Sequence, residues 1–259
     1  MMIVRELYAY REMIFSLVRR DLVGKYKKSI LGFLWTFVEP LLQLCVYTFV
    51  FTVIMPMKNI DNFYLHLFVA LIPWNFFATC LGGACTSVVD QQDMVKKIYF
   101  PREVLPIAYV TSQFVNMVLS FIVVFIVIVI AGVGISLKAV LWMPLVMLLQ
   151  YIICQGIVLL TSSITVYFRD MQQILSVLSL ALMYAAPVIY SVDMVPEEIR
   201  SAYMMNPMAV VIVAYRDILY YRKVPDVNDL LLGFVAGSLM LLIGYNTFAH
   251  LKKRFVEEL

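Results

Sequence analysis

The residue types that ordinarily carry chemistry gather at a few places in this 259-residue chain. The densest is Asp90-Gln91-Gln92-Asp93-Met94-Val95-Lys96-Lys97-Ile98-Tyr99-Phe100-Pro101-Arg102-Glu103. Asp90 is placed to cap a short helix, and Pro101 ends it. Met94, Val95, Ile98 and Tyr99 recur at i, i+1, i+4 and i+5, which puts them on one face with Lys96 and Lys97 beside it. Apolar and aromatic side chains beside cations on a short helix make a docking element for a partner protein; packing of that face on the chain's own bundle is the other reading. A second group is basic: Arg19, Arg20, Lys25, Lys27 and Lys28, with Tyr26 among them. Such a group attracts anionic headgroups at a membrane boundary. The third feature is one carboxylate, Glu39, followed by Pro40 inside an otherwise apolar run. A charge at that depth is costly, and it serves a function, pairs with a neighbouring helix or snorkels to the surface.

Other chemistry is missing. There is no G-x-x-x-x-G-K-[ST] phosphate loop, no G-x-S-x-G and no H-E-x-x-H. Cys45, Cys80, Cys85 and Cys154 lie in apolar runs and read as small apolar fillers, not as a disulfide framework. The only histidines are His66 and His250, so no metal set is visible.

The elements that hold these groups follow from where charge is absent. The chain is 63% hydrophobic and 14% charged, with a net charge of +3. That excludes disorder and gives no basic excess for binding nucleic acid. Six stretches are nearly free of charge: 29–57 (only Glu39), 62–89, 104–137, 139–168, 171–192 and 230–249. Each reaches the roughly 20 residues a spanning helix needs, and none shows the short alternating segments of a membrane barrel. The expected fold is an all-α integral membrane protein, one domain over residues 1–259 with six spans.

Seven bases lie in residues 1–28, three in 90–103, one at Arg169 and three in the tail, against Lys58, Lys138 and four in 193–229. Fourteen against six places both termini in the cytoplasm. No signal peptide is read in the first 28 residues. Ile3, Leu7, Tyr10, Ile14, Leu17 and Val18 form an apolar stripe beside Arg5, Glu6, Arg11 and Glu12, the pattern of an interfacial helix over 3–20. The last outer segment, 191–229, has helix starts at Pro196-Glu197-Glu198 and Asn206-Pro207. Within it, 208–221 reads as re-entrant or interfacial, with Tyr215, Tyr220 and Tyr221 near headgroups. The last four spans carry no ionisable chain for an ion relay, so a docking element without an energy source suggests a permease driven by a separate ATPase.

Three segments carry a family resemblance: Arg20-Asp21-Leu22 through Lys28-Ser29-Ile30-Leu31-Gly32-Phe33-Leu34-Trp35 to Glu39-Pro40-Leu41; Met94 through Glu103-Val104-Leu105-Pro106; and Tyr167-Phe168-Arg169-Asp170-Met171 with Ala186-Pro187-Val188-Ile189-Tyr190 and Asn206-Pro207. Through them the whole chain resembles the membrane subunit of ABC-2-type exporters of cell-surface polysaccharides (O-antigen, capsule, teichoic acid). The resemblance implies a homodimer in a bacterial inner or plasma membrane, with two copies of a cytoplasmic ABC ATPase below it. ATP and Mg would sit on that ATPase, with no cofactor on this chain. It implies that 90–103 is the cytoplasmic coupling helix, that the N-terminal helix is a second ATPase contact at the channel mouth, and that 191–229 forms two short re-entrant helices. The substrate implied is a polymer on a lipid pyrophosphate, and Arg19, Arg20, Lys25, Tyr26, Lys27 and Lys28 are candidates to receive that headgroup. Aromatic rings suit the C–H faces of sugars, and the candidates at span ends are Tyr47, Trp74, Phe76, Phe77, Tyr109, Tyr184 and Tyr190. Interface anchoring or core packing serves each of them as well. Three rivals are weighed. The permease of a drug or small-lipid exporter would share the architecture. A membrane enzyme acting on lipid carriers would need an acidic cluster of the D-D-x-x-D type, which is absent. A purely structural membrane subunit would bring down no ATPase.

Overall fold

A computed structural model describes residues 2–25, 29–54, 60 and 62–259, the side chains of residues 2–4, 25, 201 and 202 excepted. Every regular element among them is helical. The order is α1 (Met2–Ala9), α2 (Arg11–Lys25), α3 (Trp35–Phe49), α4 (Phe63–Gly83), α5 (Gln92–Lys97), α6 (Val104–Ile130), α7 (Leu137–Val140), α8 (Met143–Thr165), α9 (Met171–Tyr184), α10 (Glu197–Met204), α11 (Pro207–Leu219), α12 (Val227–Leu251) and α13 (Phe255–Glu258).

Among the described residues, five stretches are long and apolar enough to cross a membrane: 32–54, 63–86, 104–130, 137–165 and 227–258. The sixth expected span contains only the 14 residues of α9. At 1.5 Å per residue that is about 21 Å, short of a hydrocarbon core of about 30 Å. The segments that flank it are tied to other helices by hydrogen bonds. Before it, the Tyr167 hydroxyl donates to Leu251 O at 2.9 Å; after it, Pro187 O and Val188 O accept from Arg216 at the opposite end. Residues 185–190 continue the chain beyond α9 as turns and bends.

The core is divided in two. A large cluster joins α4, α6, α8 and α11 through side chains such as Phe68, Phe121, Leu149, Ile153 and Tyr215. A second cluster closes one end, where Leu17 and Val18 of α2 meet Val95, Phe100, Val104, Phe248 and Phe255. The first and last helices therefore share one end with α5. The N-terminal helix is broken by a turn at Tyr10. Its apolar stripe lies largely against the chain's own bundle, with α2 packed along α6, while Tyr8, Phe15 and Val23 stay exposed.

α8 and α12 form the most extensive helix pair. Lipid tails supply no hydrophobic drive between helices, so small residues that let backbones approach are favoured. Gly156 and Gly244 do this. A Cβ at Gly156 would stand 2.6 Å from Leu241 N, and one at Gly244 would strike Gly156 O. Both obstructing atoms are backbone and cannot rotate away.

Gly244→Ala is therefore expected to destabilise the folded chain by about 1–3 kcal/mol, the usual range for overpacking. Thermal unfolding in detergent checks this. Gly82→Ala, where a Cβ meets nothing within 4 Å, is the control and should leave the midpoint unchanged.

Candidate functional site

Three places bring candidate functional side chains together, one at each end of the bundle and one in its middle. At the end shared by the termini, α5 covers only Gln92–Lys97. It stops at an extended Ile98 (φ −126°, ψ 136°), three residues before Pro101. Asp90 does not cap it: the residue before the helix is Gln91, whose side chain makes no cap, and the Asp90 carboxylate accepts from the Thr86 hydroxyl at 2.7 Å.

The expected apolar face is divided between two jobs. Val95 and Phe100 are buried in the end cluster and Met94 half-buried against it, whereas Ile98 is 58% and Tyr99 95% exposed. Asp93, Lys96 and Lys97 also point outward, and Asp93 pairs with Lys97 at 3.7 Å.

Two ties fix this segment. The Arg20 guanidinium on α2 donates to Gln91 Oε1 at 3.0 Å. Glu103, only 3% exposed, pairs with Lys252 after α12, and Arg102 donates to Lys252 O while its guanidinium lies 5.8 Å from the Phe255 ring. Arg19 is exposed beside an apolar groove formed with Phe15, Leu22 and Phe33. Tyr26, Lys27, Lys28 and the Lys25 side chain lie outside the described residues.

The middle of the bundle carries a groove of about 210 Å³ between α3, α4 and α6. Its polar wall is Thr36, Glu39 and Gln43 from α3, Asn75 and Thr79 from α4, and Gln113, Asn116 and Ser120 from α6. Asn75 Nδ2 donates to Gln43 Oε1 at 2.8 Å. The Ser120 hydroxyl lies 2.9 Å from Asn116 O and 3.5 Å from Thr36 O. The amides and hydroxyls were not singled out in the sequence, yet a signal was present. Thr36, Glu39 and Gln43 fall at i, i+3 and i+7, as do Gln113, Asn116 and Ser120. That is one polar face on each of two apolar helices.

The opposite end is organised by Arg216, 2% exposed on α11. Its guanidinium donates to His66 O (3.2 Å), Pro187 O (2.5 Å), Val188 O (2.7 Å) and Tyr190 O (2.9 Å). Burial lowers its pKa to about 9, against the raising effect of Tyr221, Tyr203 and Tyr220, so it stays charged at neutral pH. Beside it, burial pushes the Asp217 carboxyl up while Lys223, 3.2 Å away, pulls it down. Tyr215 is not at a headgroup level. Its ring is fully buried on Phe121, and its hydroxyl donates to Gln150 Oε1 at 3.2 Å; Gln150 Nε2 in turn donates to Pro73 O at 2.7 Å.

The aromatic candidates divide. Trp74 and Phe77 are buried against each other in the core, and Phe76 is buried but lines the groove. Tyr47 stacks on Phe51, and Tyr109 packs half-buried beside Gly83. Tyr184 is exposed, and its carbonyl accepts from the Tyr190 hydroxyl at 2.7 Å.

Residues 12–220 match the family described as ABC-2 type transporter. The chain belongs to that family. It is similar end to end to the O-antigen export system permease protein RfbA of Myxococcus xanthus, 35% identical over 259 residues and 99% of each chain. A protein of the same name from Klebsiella pneumoniae is 29% identical over 95% of this chain and 94% of its own. The capsule polysaccharide export inner-membrane protein CtrC of Neisseria meningitidis is 24% identical over 79% of this chain and 78% of its own. An ABC-2 membrane component of this kind is a transport subunit.

Arg216→Met would leave four carbonyls without their donor, each unsatisfied buried group costing about 1–3 kcal/mol. The expected outcome is loss of monodisperse protein on size exclusion in detergent. Arg216→Lys, with a charge but no planar fork, should recover part of it.

Proposed function

We propose that this chain is the permease subunit of an ATP-driven exporter that moves a lipid-linked cell-surface polysaccharide out of the cytoplasm across the inner or plasma membrane. In this reading it works as a homodimer with two copies of a cytoplasmic ABC ATPase, which carries ATP and Mg. The polymer is of O-antigen, capsule or teichoic acid type and rides on a lipid pyrophosphate. The observation that carries the reading is the end-to-end similarity to an O-antigen export permease at 35% identity.

The geometry supports the parts of this scheme. A pass over 171–190 makes the number of crossings six, and an even number agrees with first and last helices meeting at one end. That end bears Arg19, Arg20, Lys96, Lys97, Arg102, Arg169 and the basic tail, so the positive-inside bias makes it cytoplasmic. Ile98 and Tyr99 project from it with Lys96 and Lys97 alongside, an apolar and cationic patch for an ATPase to receive. Arg20 on α2 bonds to Gln91 just before α5, so a carrier headgroup held at Arg19 and Arg20 would sit beside the coupling segment. α10 and α11 serve as the two short re-entrant helices, α11 entering between α4, α8 and α12.

Reconstitution of export in a host lacking its own permease, with this chain and its ATPase, tests the reading. Lipid-linked glycan should reach the outer face only when both are present. Tyr99→Asp, or Lys96→Glu with Lys97→Glu, should cut export about tenfold or more, the loss that follows when an interface anchor worth some 1.4 kcal/mol is removed. Membrane levels should not change. Undiminished export would remove the coupling role.

Orientation is checked separately with single cysteines in a background lacking the native four. Pro196→Cys should be labelled by an impermeant maleimide in intact cells, and Lys97→Cys only after permeabilisation. The reverse would invert the topology.

A further inference from the structure

The groove between α3, α4 and α6 lies at the middle turns of α4 and α6, where a helix facing lipid should be apolar. Its wall carries one carboxylate, Glu39, and four amides, Gln43, Asn75, Gln113 and Asn116. Asn116 is 9% exposed, lines the groove, and its Oδ1 has no hydrogen-bond partner among the described residues. Glu39 is exposed into the groove, and no cation is placed against it among the described residues. The segments that build the groove, 29–57, 62–89 and 104–137, contain no Lys or Arg at all.

Such a wall accepts hydrogen bonds strongly and donates them through amides, which matches groups that both donate and accept, above all hydroxyls. It has nothing to neutralise an anion. A phosphate or carboxylate brought here would face Glu39 across a medium of low dielectric, where like charges repel far more than in water. Lipid tails are excluded as occupants because they leave Asn116 Oδ1 and the Glu39 carboxylate unsatisfied.

We infer that this groove contacts the translocated polymer, and that it takes uncharged, hydroxyl-bearing sugar units while rejecting polyanionic ones, with Glu39 as the discriminating group. The inference rests on the exporter reading and narrows it from cell-surface polysaccharide in general to neutral glycan. Glu39 accepts from sugar hydroxyls, and the amides of Gln43, Gln113 and Asn116 complete the contacts as each unit passes.

The test uses the full permease with its ATPase in cells and two probes, a lipid-linked neutral hexose polymer and the same backbone bearing uronic acid units. The wild type should export the neutral chain at least about tenfold faster, since like-charge juxtaposition is strongly disfavoured. Glu39→Gln, close in shape, should narrow that ratio by raising export of the acidic chain. Gln113→Glu, at a half-buried position, should widen it. Export of both chains at equal rates by the wild type, or a ratio that neither substitution moves, overturns the inference and leaves the exporter reading standing. Export of neither chain overturns both. Efficient disulfide formation between two copies carrying Gln43→Cys, together with an unmoved ratio, would assign the groove to the seam of a dimer and also overturn the inference.

Discussion

Everything in this bundle follows from the price of leaving a polar group unpaired where no water can reach it. Helices settle most of that account, because each backbone group finds its partner within the segment. The side chains that remain are handled one by one. Thr111, Ser112, Thr161, Ser163, Thr165 and Thr247 return their hydroxyl protons to carbonyls three or four residues back, so polar residues can sit in spanning helices without seeking other partners. Gln150 stitches three elements at once by donating to Pro73 O and accepting from Tyr215. Pro73 lies inside α4, and its missing N–H leaves the carbonyl four residues back, that of Val69, without its usual helical donor.

Arg216 applies the same rule to irregular backbone. Residues 185–190 form no regular helix, and their carbonyls would stand unsatisfied at the buried end of the bundle. The planar guanidinium gathers three of them together with His66 O. One cation thereby satisfies the irregular backbone that follows the 14-residue α9. Against this background the α3–α4–α6 groove stands apart, because among the described residues no cation is placed against Glu39 and nothing bonds the oxygen of the nine-tenths buried Asn116 amide.

How far the sequence could be read divides along the same line. Charge-free length is a property of each segment alone, so five long helices were legible, and so was the grouping of bases that puts the first and last helices at one end. The extent of α9 was not, because its ending depends on Arg216, some thirty residues away in sequence. Tyr215 seemed suited to a headgroup by residue type, but α11 turns inward and the phenol meets Gln150. In the segment 90–103, periodicity put Val95 and Tyr99 on one face. Early termination at Ile98 separates them, so one packs inward and the other projects. The pairing of Glu103 with Lys252 joins residues 149 apart and has no local signature.

The position of that pair bears on how work done at one end can be felt in the middle. Glu103 immediately precedes α6, with no flexible residues between them, and α6 is one continuous helix over 27 residues that carries Gln113, Asn116 and Ser120 into the groove. A helix transmits displacement along its axis with little loss, since compressing it means breaking hydrogen bonds in series. α2 packs along the same helix and is tied by Arg20 to Gln91, so the N-terminal helix and the segment before α5 are linked as well as adjacent. On the other side Lys252 joins Glu103 to α12, and α12 is locked to α8 at Gly156 and Gly244 by backbone contact that leaves no room to slip. On the exporter reading, a push on Ile98 and Tyr99 by a partner ATPase would reach α6 directly, with α8 and α12 as the fixed frame. The groove wall from α6 would then shift against that from α3, which is the loosest of the long helices in the single chain and has few buried residues to resist it. On the exporter reading, the polar contacts that hold a sugar unit lie at the boundary between the helix that is driven and the helix most free to yield.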